Sequence, residues 1–358
     1  MVKFFSRARF LLLLVATAIS AAAALTAPAL LTAMQDNAKP APTVSPVVTA
    51  AAEQKQIEPT EVKVARRNEP SNLRELAGAR WKAGLAAFAK QDAAQAAQYF
   101  CAILDNTKLP TADRATVAFW AYRAFTAAGN EKSAKHYLEM AAAEDTSFYS
   151  ILARHLNGNS TVSPNVQLSM AIEYATRKSD ANNLYPMPDW KPASGYKLEP
   201  ALLFAIMRQE SAFNPHALSP SGAIGVMQLM PDTAHAMARS VRVRGSIGEP
   251  AVSMALGQQY VQHLMEMNSI GDNLVYLLAA YNAGPGALEK WQHSIEQKDP
   301  LLFIESIPYA ATRDYVVNVI GNYWVYSELF GNANFSLSMI AQNEWPLYTS
   351  SVERFASK

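Results

Sequence analysis

Between Leu73 and Asn157 apolar residues recur at helical spacing in alanine-rich stretches. These stretches are broken by turn-forming residues at Gln91-Asp92, Asn106 to Asp113, Gly129-Asn130 and Asp145. The pattern predicts short, paired helices. Two blocks superpose at a shift of 38 residues, placing Ala83 on Ala121, Asp92 on Asn130, Ala96 on Ala134 and Tyr99 on Tyr137. Small residues where helices cross, with the two turns at Asp92 and Asn130, are what stacked helix pairs require. Periodicity then fails in a connecting segment, 161–198. Its stretch Tyr185-Pro186-Met187-Pro188-Asp189-Trp190-Lys191-Pro192 must be an extended strap, because each proline restrains the residue before it. Helices resume at Glu199. Pro200 suits a first turn, Asp232 and Thr233 suit a helix opening after Pro231, and Gly271-Asp272 precedes the apolar run Leu274 to Ala280.

Within the first of these later helices, Glu210 ends an otherwise apolar run. Leu203, Ile206 and Met207 share its face at offsets of seven, four and three. A carboxyl group on a buried face is desolvated, which raises its pKa toward neutrality, as a general acid requires. A helix-end carboxylate bonded to nearby backbone fits the same spacing. The segment that follows, Asn214 to Ala234, is rich in Pro, Ser and Gly. Gly222 and Gly225 suit tight turns, Gln228 supplies an amide, and Met227 and Met230 supply adaptable apolar surface. By itself it also fits a connecting surface loop with two core methionines.

The string from Glu210-Ser211 to Thr233-Ala234 resembles the first signature of the soluble lytic murein transglycosylases, whose SLT domain forms glycoside hydrolase family 23. Three more segments match in order: Gly257-Gln258-Gln259-Tyr260, then Ala280-Tyr281-Asn282-Ala283-Gly284-Pro285-Gly286, then Glu305-Ser306-Ile307-Pro308 with Thr312-Arg313-Asp314-Tyr315-Val316. One departure is Ala311, where the family carries a glutamate before Thr-Arg. The resemblance implies a mainly α fold: a lysozyme-like catalytic domain over 199–358, with any strands short and near Val241 to Glu249, preceded by a short tetratricopeptide-like helical region over 73–160. It also implies cleavage of the MurNAc-GlcNAc β-1,4 bond of peptidoglycan glycan strands with formation of 1,6-anhydro-MurNAc. Glu210 would act as the single acid and base, where most glycosidases use two carboxylates. The substrate-binding residues it implies are Ser219, Gln228, Met230, Tyr281, Asn282, Glu305 and Tyr315, with Tyr281 steadying Glu210 or the acetamido group and Arg313 pairing with Glu305. A hydrolytic lysozyme-type muramidase and a noncatalytic glycan-binding scaffold are the alternatives.

The chain has 358 residues, half of them hydrophobic, enough for two or three domains. Lys3, Arg7 and Arg9 precede the uncharged run Phe10 to Ala24, so residues 1–27 read as a signal peptide and the enzyme as periplasmic. If the apolar stretch runs on through Leu30 and Leu31, the segment is an uncleaved inner-membrane anchor. Residues 28–72 lack periodicity and read as a flexible linker. Taking residues 1–27 away removes three positive charges, so the formal charge falls from +1 to −2. That balance gives no reason to expect nucleic acid. Cys101 is the only cysteine, which excludes an internal disulfide, and reads as a buried small apolar residue. The six histidines lack zinc-ligand spacing, and no metal or cofactor is expected. The helical repeats would extend the glycan groove, hold a cell-wall protein partner, or serve as structural support.

Overall fold

The computed structural model describes residues 73–105, 109–143, 147–162 and 184–348. The signal, anchor and linker readings, and the break at Asp145, lie outside these residues. Five helices come first: α1 (Leu73–Ala89), α2 (Ala93–Leu104), α3 (Thr111–Ala127), α4 (Glu131–Ala142) and α5 (Phe148–Leu156). Eight follow after residue 184: α6 (Pro200–Ser211), α7 (Pro231–Val241), α8 (Pro250–Met265), α9 (Leu274–Ala283), α10 (Pro285–Ser294), α11 (Pro300–Ser306), α12 (Ala310–Leu329) and α13 (Phe335–Ala341). Residues 241–249 form no strand. The only pairings among the described residues are isolated bridges, Leu218 with Ile224, Ile224 with Leu229, and Asn273 with Leu347. Pro250 explains part of this, since it opens α8 within a residue of the expected strand and leaves no room for a partner.

The 38-residue shift holds in three dimensions. Both bounds of α1 map onto those of α3, and both bounds of α2 onto those of α4. Their turns repeat as well. Gln91 and Gly129 both adopt positive φ, at 64° and 71°. Asp92 accepts from Gln95 N at 3.1 Å, as Asn130 does from Ser133 N at 3.1 Å. Asp and Asn each cap a helix by accepting an orphan amide, so the same turn survives the change of side chain. Small residues let the helices approach: at Gly84 a Cβ would stand 2.6 Å from the Phe100 ring. The space is filled by aromatic rings, with Trp81 5.5 Å from Phe100 and 6.3 Å from Trp120, and Phe88 5.4 Å from Trp120. Cys101 is half-buried rather than buried, and its thiol donates to Tyr137 Oη at 3.1 Å.

Three contacts tie this repeat region to the later helices. Phe148 of α5 stacks on Trp324 of α12 at 4.9 Å. Tyr149 Oη donates to Glu305 Oε1 at 2.7 Å. Arg123 lies over the Phe88 and Trp120 rings at 4.8 and 4.7 Å and pairs with Asp299. Asp299 also caps α11, accepting from Leu301 N at 2.9 Å and Leu302 N at 3.1 Å. A cation on aromatic faces that also meets a helix-capping carboxylate combines two favourable terms in one side chain. We expect Arg123→Ala to lower stability by about 2 kcal/mol, read as a fall in the urea midpoint at unchanged slope.

Candidate functional site

Helix α6 differs from the one-faced helix that spacing suggests. Ala201 through Met207 are all fully buried, on every side of the helix. A helix apolar all round belongs inside a core, and here Phe204 packs against Phe213 and Tyr326 at 5.7 and 5.6 Å. The polar end emerges only at Arg208, Gln209 and Glu210, which keep partial exposure. Arg208 is held by three contacts: Nε donates to Leu184 O at 2.7 Å, Nη1 donates to Asn322 Oδ1 at 2.8 Å, and the guanidinium lies 4.4 Å from the Tyr185 ring. The proline strap, non-helical as its sequence requires and turned where Trp190 N donates to Pro188 O at 2.8 Å, is thus stitched to α6, and Tyr326 Oη adds a bond to Pro186 O at 3.0 Å.

Beyond Glu210 the chain turns sharply, with Ala212 and Phe213 both left-handed at φ of 49° and 63°. Two such non-glycine residues cost roughly 1–2 kcal/mol each, and the burial of Phe213 against Phe204 and Tyr326 helps offset this. The following loop is closed on itself. Ser219 Oγ accepts from Ala223 N at 2.9 Å, and Gln228 Nε2 donates to Ala217 O and Gly225 O, both at 3.0 Å. Both side chains thus brace the loop, and each keeps further hydrogen-bonding capacity, the Ser219 hydroxyl and the Gln228 Oε1. Gln228 spends both amide hydrogens there and keeps only Oε1 for a ligand. Met230 is 44 % exposed and offers the open apolar surface expected of it.

Helix α8 presents Ser253, Gly257 and Tyr260 toward this region, at offsets of four and seven. Ser253 Oγ accepts from Met227 N at 3.2 Å. A Cβ on Gly225 would meet Ile247 O at 2.6 Å, and one on Gly257 would meet Met227 Cε at 2.5 Å. Both glycines are therefore demanded by close approach. Gln258, fully buried, accepts from Lys197 N at 3.0 Å and donates to Gly195 O at 2.7 Å, holding the chain ahead of α6.

Tyr281 Oη donates to Met227 O at 2.8 Å, so its phenol fastens the loop and keeps only its oxygen lone pairs for the acid or the acetamido group. Its ring stacks on Tyr315 at 6.3 Å and 9° and tilts against Tyr260 at 5.3 Å. Tyr315 is the phenol that meets the acid. Burial lifts the Glu210 pKa from 4.5 to about 7, and hydrogen bonding from Tyr315 pulls it partly back. The contact is looser than a regular hydrogen bond, and Tyr315 Oη has no other partner among the described side chains. No second carboxylate contributes to the shift of Glu210. Burial and the nearby carboxyl push the Tyr281 and Tyr315 phenols well up, so both stay neutral donors.

Asn282 is exposed beside this group, and its Oδ1 accepts from Thr312 Oγ1 at 2.8 Å. Glu305 Oε1 accepts from Tyr149, and the Arg313 guanidinium donates to Ile307 O, so each has a structural partner. Ala311 is exposed on the first turn of α12. Reading the sequence for chemistry overlooks Ser253, and it quotes Gln258 and Tyr260 only within a matched segment, with no role assigned. Their signal was the helical spacing of small, polar and aromatic residues around Gly257, which marks a face pressed against other backbone.

The Transglycosylase SLT domain family matches residues 190–304, beginning inside the strap. The "Soluble lytic murein transglycosylase" of Salmonella typhimurium is 36 % identical over 157 residues, 42 % of this chain and 24 % of that protein. Its counterpart in Escherichia coli K12 is 35 % identical over 158 residues, with the same coverage. A "Membrane-bound lytic murein transglycosylase C" of Haemophilus ducreyi is 31 % identical over 158 residues, 38 % of this chain and 42 % of that protein. The chain thus spans about a quarter of the length of the soluble relatives it matches. Among solved structures, the 70 kDa soluble lytic transglycosylase SLT70 of Escherichia coli has a TM-score of 0.53 at 20 % identity, covering 79 % of this chain and 55 % of that one. An inactive mutant of the lytic transglycosylase Slt from Pseudomonas aeruginosa also scores 0.53, at 22 % identity, covering 70 % and 51 %. At such identities the likeness is one of fold, and it makes the architecture mainly α and lysozyme-like.

The folded protein binds the Glu210 proton more tightly than the unfolded chain does. Its contribution to stability is therefore full below about pH 4.5 and lost as pH rises through about 7. Glu210→Gln, with no proton to lose, is expected to exceed the parent protein by about 3 kcal/mol near pH 8 and to show no such gain near pH 4, by urea denaturation.

Proposed function

We propose, on the premise that this chain carries a transglycosylase SLT domain over residues 190–304, that it is an exported lytic transglycosylase of peptidoglycan. The observation that carries this reading is Glu210: a carboxyl at the end of a buried helix, with a pKa of about 7, whose shift comes from burial and one tyrosine alone. Such a group is half protonated near neutrality and can give and take a proton in one turnover. Glycosidases that use water place a second carboxylate across the bond. In this reading Glu210 works as the single acid and base, and the nucleophile is supplied by the sugar.

In this reading, protonated Glu210 gives its proton to the GlcNAc oxygen as the bond from that oxygen to C1 of MurNAc breaks. Positive charge develops at C1, and the MurNAc C6 hydroxyl closes onto it. The new C1–O6 bond makes the 1,6-anhydro ring, and the Glu210 carboxylate removes the hydroxyl proton, returning to its starting form. Because the attack is intramolecular, orientation replaces activation of a water molecule. The Tyr315 phenol, a neutral donor beside the acid, supports the ionised midpoint of this cycle. Met230 and Asn282 are exposed next to the acid-bearing cluster and are the residues we assign to sugar contact. Ser219, Gln228 and Tyr281 shape the loop that holds them, while Glu305 acts through Tyr149.

The sequence pattern of residues 1–27 supports export to the periplasm. Among the described residues no helix is long and apolar enough to cross a membrane. A cell-wall protein partner would meet the helical repeats, whose cavity of about 380 Å³ is lined by Gln98, Cys101, Phe125 and Asn130 with small alanines.

Two measurements test the chemistry. Digestion of purified sacculi followed by mass spectrometry is expected to give muropeptides ending in anhydro-MurNAc, each one water lighter than a hydrolysed product. A majority of hydrated ends would point to a muramidase instead. Glu210→Gln is expected to bind sacculi and release no soluble muropeptide, and undiminished release would overturn the assignment. The rate of the parent enzyme should fall about tenfold per pH unit above the Glu210 pKa, as the acid loses its proton.

A further inference from the structure

Tyr309 is a large aromatic side chain with 58 % of its surface open to solvent. It lies at the head of α12, where its carbonyl accepts from Thr312 N and Arg313 N, both at 3.1 Å. The ring is not loose. Trp291 of α10, itself buried, meets it edge to face at 5.2 Å and 86°. Its chain neighbours Pro308, Ala310 and Ala311 are all exposed, and none carries a charge or a long side chain that would cover the ring. A rigid, braced and uncovered aromatic costs little conformational entropy when a flat apolar surface settles on it.

Its place along α12 gives it a partner. Tyr315, at the Glu210 carboxyl, is six residues further in, about 9 Å along the helix axis. Between them Thr312 holds the exposed Asn282 of α9. Along the chain the order is therefore open aromatic ring, amide contact and the tyrosine at the acid, and the axial rise from Tyr309 to Tyr315 is of the order of one disaccharide. We propose that Tyr309, braced by Trp291, is a stacking platform for a further sugar ring of the glycan strand, one disaccharide out from the reacting bond. This inference rests on the reading of Glu210 as the acid of a peptidoglycan glycan cleavage. It assigns to the chain a preference for long strands over short ones.

The test compares the full-length protein with Tyr309→Ala and Tyr309→Phe on uncrosslinked glycan strands sorted by length. Tyr309→Ala is expected to narrow the kcat/KM preference for long over short strands about tenfold, through KM. Tyr309→Phe, which keeps the ring, is expected to restore it. An unchanged preference with Tyr309→Ala, or a Tyr309→Phe variant as impaired as the alanine, overturns the platform. If no anhydro product forms from any strand, the reading of Glu210 fails separately. Calorimetric binding of β-1,4-linked N-acetylglucosamine oligomers by Glu210→Gln, with and without Tyr309→Ala, then decides the platform: weaker binding of long oligomers upholds it, and equal binding sinks it.

Discussion

A carboxyl group largely shielded from water, at the last turn of a helix buried over most of its length, is the constraint on which the rest of this structure depends. Ala201 to Met207 are enclosed on all sides, so α6 can leave the core only at its last turn. Glu210 stands at that turn. Its neighbours withhold the solvation an ionised carboxylate needs, and the proton stays bound near neutrality. Tyr315 limits the effect by stabilising the charged form. A carboxyl of still higher pKa would take a proton back more readily but give one up less readily, so in the proposed cycle the opposing contributions of burial and phenol set a useful balance.

The loop after Glu210 is built largely from backbone. Left-handed residues at Ala212, Phe213, Gly225 and Gln228 let a short segment reverse direction repeatedly. Each reversal is braced by a side chain that spends its hydrogen bonds internally: Ser219, Gln228, Ser253 and Tyr281 all meet main-chain groups. The strain at the non-glycine positions survives because surrounding contacts over-determine it. Rigidity of this kind suits the orientation-dependent chemistry proposed for Glu210.

The repeat region is joined to the later helices at the short helix α11. Asp299 at its start meets Arg123, and Glu305 near its end meets Tyr149. These polar contacts sit beside an aromatic stack between Phe148 and Trp324. Two helix pairs alone bury little surface, and a repeat pair gains its stability from a neighbour. Here α12 supplies that neighbour, and α12 also carries Tyr315.

Much of this was readable from residues in order. Helix boundaries at Pro200, Pro231 and Leu274, the repeat of 38 residues, the strap around Pro186 to Pro192 and the burial of the Glu210 face all follow from local spacing and turn chemistry, which are properties of neighbours in the chain. What the residues in order could not disclose is how each polar group is satisfied. Tyr281 and Tyr315 are both tyrosines in matched segments, yet one bonds to Met227 O and the other faces Glu210. Gln228 carries an amide equally able to hold a sugar or a loop. Arg313 turned to Ile307 O, and Glu305 to Tyr149. A side chain's hydrogen bonds depend on which distant backbone comes within about 3 Å, and that distance exists only once helices remote in sequence have packed together.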